Sequence, residues 1–266
     1  MNMAIEQATN RKTYTDERII RSYAGWTECF PAERSIFELY STQFAGDVLD
    51  IAVGAGRTTG VLLPQARSYV GLDYSAGMIA AAKANFPAAD LRCGDMRAVP
   101  NDFRGRRFDA ILISFNGIDY IPWADRNKLL AQLRGLLRPD GALAFSTHDF
   151  AMLDAERGFR IRPDLKLDRQ LLRNRPMQYL ARLVKMPFWS VRAWRKHRRL
   201  RSSERIYSGY AYVNDSGENF GLLTTYVSSA LQVQILRNAG YANIRIEQPW
   251  LRSSPASFNY FHATAS

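Results

Sequence analysis

The sequence contains only two cysteines in 266 residues, Cys29 and Cys93, and they are far apart in the chain. So few thiols exclude a disulfide framework and are typical of small buried side chains in a reducing compartment. The three histidines are isolated from one another, so no His/Cys cluster predicts a metal site. No apolar run approaches the roughly 20 residues of a membrane-spanning helix, and the polar N-terminus has no signal-peptide core. We therefore expect a cytoplasmic protein.

Positive charge is in excess, but it is concentrated in one segment. The formal net charge is +11, and residues 156–205 alone contain sixteen Lys or Arg against four acidic residues. The rest of the chain is therefore close to neutral. The excess positive charge is therefore a property of one surface or lobe and not of the whole protein.

Short apolar runs alternate with helical patterns through most of the chain, which predicts a parallel sheet covered on both faces. The predicted strands are 47–53, 68–73, 90–93, 108–114, 142–147, 244–247 and 258–263. The predicted helices are 15–40 with a break near Pro31, 58–66, 76–85 after an N-cap at Ser75, 125–137 and 226–239.

Residues 150–225 interrupt this alternation and carry the basic segment. Their second half predicts a hairpin with strands 205–213 and 220–225, turning at 214–217. We divide the chain accordingly, into N-terminal helices that cover the cleft, a core, and an inserted basic lobe on the acceptor side. The ranges are 1–45 for the helices, 46–149 with 226–266 for the core, and 150–225 for the lobe.

Three consecutive predicted strands end in residues that suit a nucleotide-like ligand. After the first strand, Gly54 and Gly56 allow close approach of a ligand to the backbone at a helix N-terminus. Asp73 ends the second strand, nineteen residues after Gly54, where a carboxylate can accept from ribose hydroxyls. A tight turn at Gly94 and Asp95 ends the third and offers an acceptor for an exocyclic amine.

These motifs resemble those of class I S-adenosylmethionine (SAM)-dependent methyltransferases. Residues 49–56 (LDIAVGAG), 70–75 (VGLDYS), 93–96 (CGDM), 108–116 (FDAILISFN) and 136–143 (LLRPDGAL) are similar to successive motifs of that family. The resemblance implies a Rossmann-like α/β fold whose seven-stranded, mostly parallel sheet has an antiparallel last strand, here with an inserted α+β lobe. It implies SAM as cofactor, with S-adenosylhomocysteine as product, and no metal.

The resemblance also assigns residues to parts of SAM. Residues 50–56, including Asp50, Ala52, Val53, Gly54 and Gly56, would surround the amino-acid end, and Asp73 would bind the ribose. The adenine would be enclosed by Tyr74, Met78, Gly94, Asp95 and Met96. Ser114 and Asn116 would lie near the methionine moiety and the acceptor. The family usually has Gly where this chain has Ala52, and we expect the methyl group to be tolerated if φ is negative there.

Three other functions fit part of this pattern. A nicotinamide dehydrogenase shares the glycines and Asp73, but the third glycine, Gly60, comes one residue too late. A nucleic-acid methyltransferase would explain the basic segment, although the chain has no Asn-Pro-Pro-Tyr type motif after strand four. A non-catalytic SAM-binding module has the same fold. We favour an enzyme that methylates O or N of a small-molecule, saccharide or lipid-linked acceptor.

For catalysis the sequence suggests His148 as general base, oriented by Asp149, because both follow the fifth strand at the ligand edge of the sheet. Tyr207, Tyr210 and Tyr226 are candidate acceptor contacts, although alternating Tyr also suits a half-buried strand. Apolar and basic residues interleave over 173–201, which fits a peripheral contact with an anionic membrane, a lid over an acidic acceptor or a solvated lobe. Nucleic acid is the less favoured partner.

Overall fold

A computed structural model describes residues 10, 12–156, 188, 190–217, 220–251 and 254–265. Ten strands form one sheet, and a separate short pair lies near the C-terminus. The sheet strands are β1 (Asp47–Ile51), β2 (Ser68–Asp73), β3 (Asp90–Cys93), β4 (Phe108–Ile113), β5 (Leu137–Asp149), β6 (Arg205–Ile206), β7 (Tyr210–Val213), β8 (Thr224–Val227), β9 (Tyr241–Glu247) and β12 (Phe258–Ala265). The separate pair is β10 (Trp250–Leu251) with β11 (Ser254–Pro255).

Helices precede the sheet and connect its strands. They are α1 (Glu17–Ala24), α2 (Pro31–Leu39), α3 (Ser41–Phe44), α4 (Thr59–Leu62), α5 (Ala76–Asn85), α6 (Val99–Asp102), α7 (Trp123–Arg134), α8 (Leu153–Glu156), α9 (190–200) and α10 (Ser229–Asn238). Local chemistry sets several of their starts. The Ser75 and Ser228 hydroxyls cap α5 and α10, and Pro31 opens α2. Within the described part of the chain, no helix is long and apolar enough to span a bilayer.

The sheet has the predicted Rossmann-like architecture. Seven strands lie in the order β3-β2-β1-β4-β5-β12-β9, and β12 runs antiparallel to both of its neighbours. β1, β2 and β4 are buried almost throughout, because helices cover both faces of the sheet. The core consequently forms two clusters, one on each face, with Leu49 and Ile51 in one and Val48 in the other. The antiparallel last strand predicted from the sequence is confirmed.

The inserted segment adds three further strands to this sheet. β8 pairs parallel with the end of β5, with His148 opposite Tyr226, and β7 and β6 follow on the outside. β4 ends opposite Phe145, so β8 lies beside β5 beyond the end of β4. The sheet is therefore larger than the seven strands expected.

Several predicted element bounds are wrong. The predicted strand 205–213 is broken at 207–209 into β6 and β7, and the second hairpin strand is Thr224–Val227. Tyr226, placed in a helix by its apolar spacing, lies in that strand, because pairing with β5 overrides local periodicity. The helix expected at 58–66 contains only Thr59–Leu62, and that expected at 125–137 is Trp123–Arg134, since Leu137 already belongs to β5. Parts of three predicted ranges, 1–45, 150–225 and 173–201, lie outside the described residues. These parts are 1–9, 11, 157–187, 189 and 218–219.

Ala52, in the turn after β1, has the opposite backbone conformation to the one expected. Its φ is +57°, in the left-handed region that favours glycine. The methyl group finds space because Gly117 faces it, and a Cβ added at Gly117 would lie 2.5 Å from the Ala52 Cβ. The alanine and the glycine therefore depend on each other.

We predict that Gly117→Ala lowers the free energy of unfolding by about 1–3 kcal/mol through this overlap. In an Ala52→Gly background the same change should cost clearly less, with a coupling energy of about 1 kcal/mol or more. Urea unfolding of the two single variants, the double variant and the wild type measures this. Gly25→Ala is a matched control, since its added Cβ would meet nothing closer than 3.8 Å. An equal cost of Gly117→Ala in both backgrounds would contradict the proposed contact.

Candidate functional site

A cavity of about 530 Å³ opens at the carboxyl ends of the central parallel strands, within the range typical of small-molecule sites. Its floor is the turn after β1, and its sides are the turns after β2, β3 and β4. The N-terminal segment contributes a fourth wall with Asn10, Tyr14, Tyr23 and Trp26. Most of the exposed lining is apolar, so a ligand bound here would bury apolar surface.

The turn after β1 leaves room for a ligand close to the backbone. Gly54 has φ +57° and Gly56 has φ +92°, conformations that side-chain-bearing residues rarely adopt. Gly54 lines the cavity, and a Cβ added there would meet nothing closer than a Tyr23 ring atom at 3.9 Å. A side chain at position 54 would thus project into the cavity, and glycine keeps this space free.

Asp73, at the end of β2, presents a buried carboxylate to the cavity. Its Oδ2 accepts from the Gly54 amide at 3.0 Å and its Oδ1 from the Ser75 amide at 2.8 Å. Burial raises the pKa of this carboxyl to about 6, against the opposing effect of the two backbone hydrogen bonds. Each oxygen retains a lone pair, so the carboxylate can accept hydrogen bonds from a vicinal diol.

The other predicted adenine contacts also lie around the cavity. Tyr74, Met78, Gly94, Asp95 and Met96 all line it, as the sequence suggested. Asp95 is already engaged, since its carboxylate accepts from the backbone amide and the guanidinium of Arg97. Its assignment as the acceptor for the adenine amine remains a prediction.

Arg57 is a lining residue that the sequence reasoning missed. Its guanidinium forms a buried two-point ion pair with Glu33 of α2 and donates to the Ser114 hydroxyl at 3.0 Å. It also lies 4.9 Å from the centre of the Trp26 ring. Although burial opposes its charge, Glu33 outweighs this effect and raises the pKa of Arg57. In the sequence, the signal that could have identified Arg57 was its position directly after Gly56.

Three of the predicted SAM-binding residues do not line the cavity. Gly56 instead lies against the Phe86 ring, since an added Cβ would be 2.9 Å from a ring carbon. Asp50 is fully buried behind the turn, where it accepts from the hydroxyls of Thr58 at 2.6 Å and Tyr69 at 2.8 Å. Burial raises the pKa of Asp50 to about 6. Asn116 is also buried, with φ +61°, and its backbone N–H donates to Ser146 Oγ at 2.7 Å. Val53, Ser114 and Ala52 do line the cavity.

The partner of His148 is Asp119, not Asp149 as the sequence suggested. Asp119 Oδ2 accepts from both the backbone amide and Nδ1 of His148, each at 2.8 Å. The Asp149 carboxylate instead accepts from the Ala151 amide and from Asn259 Nδ2, both at 3.0 Å. Asp149 ends β5 pointing into the following turn, so it caps that turn and does not orient the imidazole.

Asp119 is fully buried at the centre of a hydrogen-bond network. Its Oδ1 accepts from the Thr147 hydroxyl at 2.6 Å and lies 3.6 Å from Arg126 Nε. Burial disfavours a charged His148, but the hydrogen bond and charge of Asp119 outweigh it and raise the pKa of the imidazole. Neighbouring residues Phe115, Gly117 and Tyr120 line the cavity, which places this network directly behind one of its walls. The available signal for Asp119 was its place shortly after the fourth strand.

The three tyrosines proposed as acceptor contacts fall into two places. The Tyr226 ring lies 4.9 Å from the His148 ring, and its hydroxyl donates to Asp215 at 3.0 Å. Tyr210 is instead stacked between Trp123 at 4.0 Å and Tyr207 at 4.6 Å. The structure therefore brings Tyr226 to the histidine, whereas Tyr207 and Tyr210 belong to a separate aromatic stack.

In the described residues, no group of three or more His, Cys, Asp or Glu side chains is arranged to hold a metal ion. Groups that line the cavity and can bind a ligand at this edge include Asp73, Arg57 and the backbone of the β1 turn.

The fold is the Rossmann-like fold of class I SAM-dependent methyltransferases. Residues 48–141 match the family model described as a methyltransferase domain. A probable SAM-dependent methyltransferase from Mycolicibacterium smegmatis is 28% identical over 134 residues, which are 50% of each chain. A dTDP-3-amino-3,6-dideoxy-alpha-D-glucopyranose N,N-dimethyltransferase from Streptomyces fradiae is 35% identical over 101 residues, or 37% of this chain and 38% of the relative. The chain thus spans half or less of the length of these curated relatives.

Solved structures agree on the fold. A SAM-dependent methyltransferase from Mesorhizobium loti has a TM-score of 0.55 at 19% identity, covering 88% of this chain and 96% of its own. CalS10, an amino pentose methyltransferase from Micromonospora echinaspora whose structure contains SAM, has a TM-score of 0.54 at 16% identity, with 92% and 95% coverage.

We predict that Asp73→Asn weakens SAM binding by about tenfold or more at neutral pH, through loss of charge-assisted hydrogen bonds. In the wild type, affinity should fall as pH drops below about 6, where the carboxyl becomes protonated. Affinity of the Asn variant should vary much less across this range. Calorimetric titration over pH 5 to 8 measures both effects.

Asp90→Asn is the matched control, because Asp90 begins β3 at the end away from the cavity and forms a surface ion pair with Arg92. Asp50 titrates in the same pH range, so an unchanged pH dependence in Asp73→Asn would assign the effect to Asp50 and remove Asp73 from the SAM site.

Proposed function

We propose that this protein transfers the methyl group of SAM to an oxygen or nitrogen atom of a small-molecule acceptor. The observation that carries the proposal is the cavity at the ends of β1, β2 and β4, with the Asp73 carboxylate on one side and the His148–Asp119 pair behind another. Curated relatives that act on an amino sugar and on demethylmenaquinone support a small-molecule acceptor.

The lining residues fit SAM in both charge and shape. Asp73 would accept from the ribose hydroxyls, the β1 turn around Gly54 would receive the amino-acid end, and Met78 and Met96 would pack against the adenine. When bound, SAM supplies a methyl group that is activated because it is attached to a sulfonium. The protein aligns the acceptor, excludes water and, for a hydroxyl acceptor, removes a proton.

His148 is the proposed base for that proton. Because Nδ1–H donates to Asp119, the neutral imidazole has its lone pair at Nε2. Asn116 Nδ2 lies 3.4 Å from this atom, in keeping with Nε2 as an acceptor. On taking a proton the imidazolium is stabilised by the Asp119 carboxylate, which the buried Arg126 in turn stabilises as an anion. Tyr226 is buried beside the imidazole and would help to hold its position.

Methyl release from SAM, screened across sugars, amino sugars, phenols, quinols and amines, tests the activity itself. A protein that binds S-adenosylhomocysteine yet methylates none of these would contradict the proposed small-molecule activity.

For a hydroxyl acceptor we predict that His148→Gln lowers kcat by about a hundredfold or more and leaves SAM affinity nearly unchanged. Asp119→Asn should also lower kcat, and it should move the acidic limb of the pH–rate profile to lower pH. The reason is that Asp119 raises the pKa of His148, and a general base works only above its pKa. Steady-state rates over a range of pH measure both changes.

Asp149→Asn is the matched control and should retain nearly wild-type rate and pH dependence. Because Asp119→Asn leaves Arg126 buried without its carboxylate, SAM affinity is measured alongside to confirm that the variant is folded. An unchanged rate in His148→Gln would exclude the base and favour an amine acceptor that needs only alignment.

A further inference from the structure

Exposed apolar side chains are concentrated in one part of the molecule. Seven large hydrophobic residues are exposed among the described residues, and five of them lie between 188 and 207. Phe188, Val191 and Trp194, on and just before α9, are 69%, 47% and 43% exposed. Exposure of this extent on one short helix indicates a surface that is covered in function.

The same helix carries a high positive charge. Arg192, Arg195, Arg198 and Arg199 are all exposed, and the Arg198 guanidinium lies 5.4 Å from the centre of the Trp194 ring. Over residues 188–207 there are seven Lys or Arg and one acidic residue, Glu204. We call Phe188, Val191, Trp194 and these four arginines the basic–apolar surface.

The opposite side of α9 holds the helix in place. His197 is buried, with Nδ1 3.0 Å from Asn214 Oδ1, and Leu200 packs with Tyr212 and Leu223. The buried positions thus attach α9 to the strands that extend from β5. The apolar residues of the basic–apolar surface are therefore not needed for this packing, and the helix presents them outward.

The charge of the basic–apolar surface acts on the N-terminal helix α1. The pKa of Asp16 is lowered chiefly by hydrogen bonds from Arg18, and the charge of Arg192 also contributes. Asp16 caps α1, and α1 carries Tyr23, which lines the cavity. The basic–apolar surface therefore lies on the side of the molecule that carries α1.

We propose that the basic–apolar surface binds a membrane surface rich in anionic lipid. The arginines match the phosphate groups, while Phe188, Val191 and Trp194 enter the boundary between headgroups and acyl chains. Nucleic acid fits less well, because an exposed valine gains little from phosphates or stacked bases. The inference concerns where the enzyme works and does not depend on which acceptor it methylates.

Sedimentation of the full chain with phosphatidylcholine vesicles, with and without phosphatidylglycerol, tests the proposal. Binding should require the anionic lipid and decrease as salt rises. Replacing the four arginines with Gln should weaken it by about a hundredfold or more. Replacing Phe188, Val191 and Trp194 with Ser should weaken it by about tenfold or more.

Two controls alter surface elsewhere: one removes equal charge, and the other removes exposed apolar side chains outside α9, although fewer of them. They are Arg34, Arg104, Arg107 and Arg237 to Gln, and Leu39 and Ile246 to Ser, all exposed residues outside α9. Each control should bind anionic vesicles nearly as well as the wild type, and every variant should retain SAM affinity as a check of folding.

Three results would overturn the proposal. The first is no binding to anionic vesicles at low salt. The second is an equal loss of vesicle binding in the α9 variants and the control variants. The third is tighter binding to oligonucleotides than to vesicles, with an affinity that the Ser substitutions do not change. Since SAM affinity is measured separately, failure here is distinguishable from failure of the proposed methyl transfer.

Discussion

The carboxylate of Asp73 joins the two turns between which the cavity opens. One oxygen accepts from Gly54 after β1, and the other accepts from Ser75 at the start of α5. Burial disfavours the charged carboxylate and raises its pKa to about 6. The hydrogen bonds from the two amides oppose this effect, and so they stabilise the anion that would accept from a diol. The position of the glycine turn, the start of α5 and the chemistry of the cavity all depend on this one group.

A second buried carboxylate organises the opposite side of the site. Asp119 follows β4, and His148 lies near the end of β5, beyond the point where β4 stops. β8 occupies the place beside β5 that β4 leaves, and so brings Tyr226 against the imidazole. The added strands thus extend this edge of the sheet, and α9 rests on the extension through His197. Tyr226 beside the imidazole and the proposed membrane surface therefore both belong to one structural addition to the core.

The features that sequence reasoning predicted correctly are local ones. The glycine turn, Asp73 and the cap at Ser75 are each determined by a few neighbouring residues, and their order along the chain indicated the sheet. The features it missed depend on distant contacts. Asp119 and His148 are 29 positions apart and meet only because β4 and β5 are adjacent. Ala52 adopts a positive φ in a space that Gly117 leaves free, and Tyr226 is in a strand because β5 offers it a partner.

The most direct test of the central claim is a crystal structure of the protein with S-adenosylhomocysteine. We expect one molecule in the cavity, with its ribose hydroxyls within hydrogen-bond distance of Asp73 and its amino-acid end against the backbone around Gly54. Its sulfur atom should face the side of the cavity formed by Phe115 and Gly117, in front of His148. Density for the ligand at another edge of the sheet, or a ribose that does not contact Asp73, would show that the cofactor site is assigned wrongly.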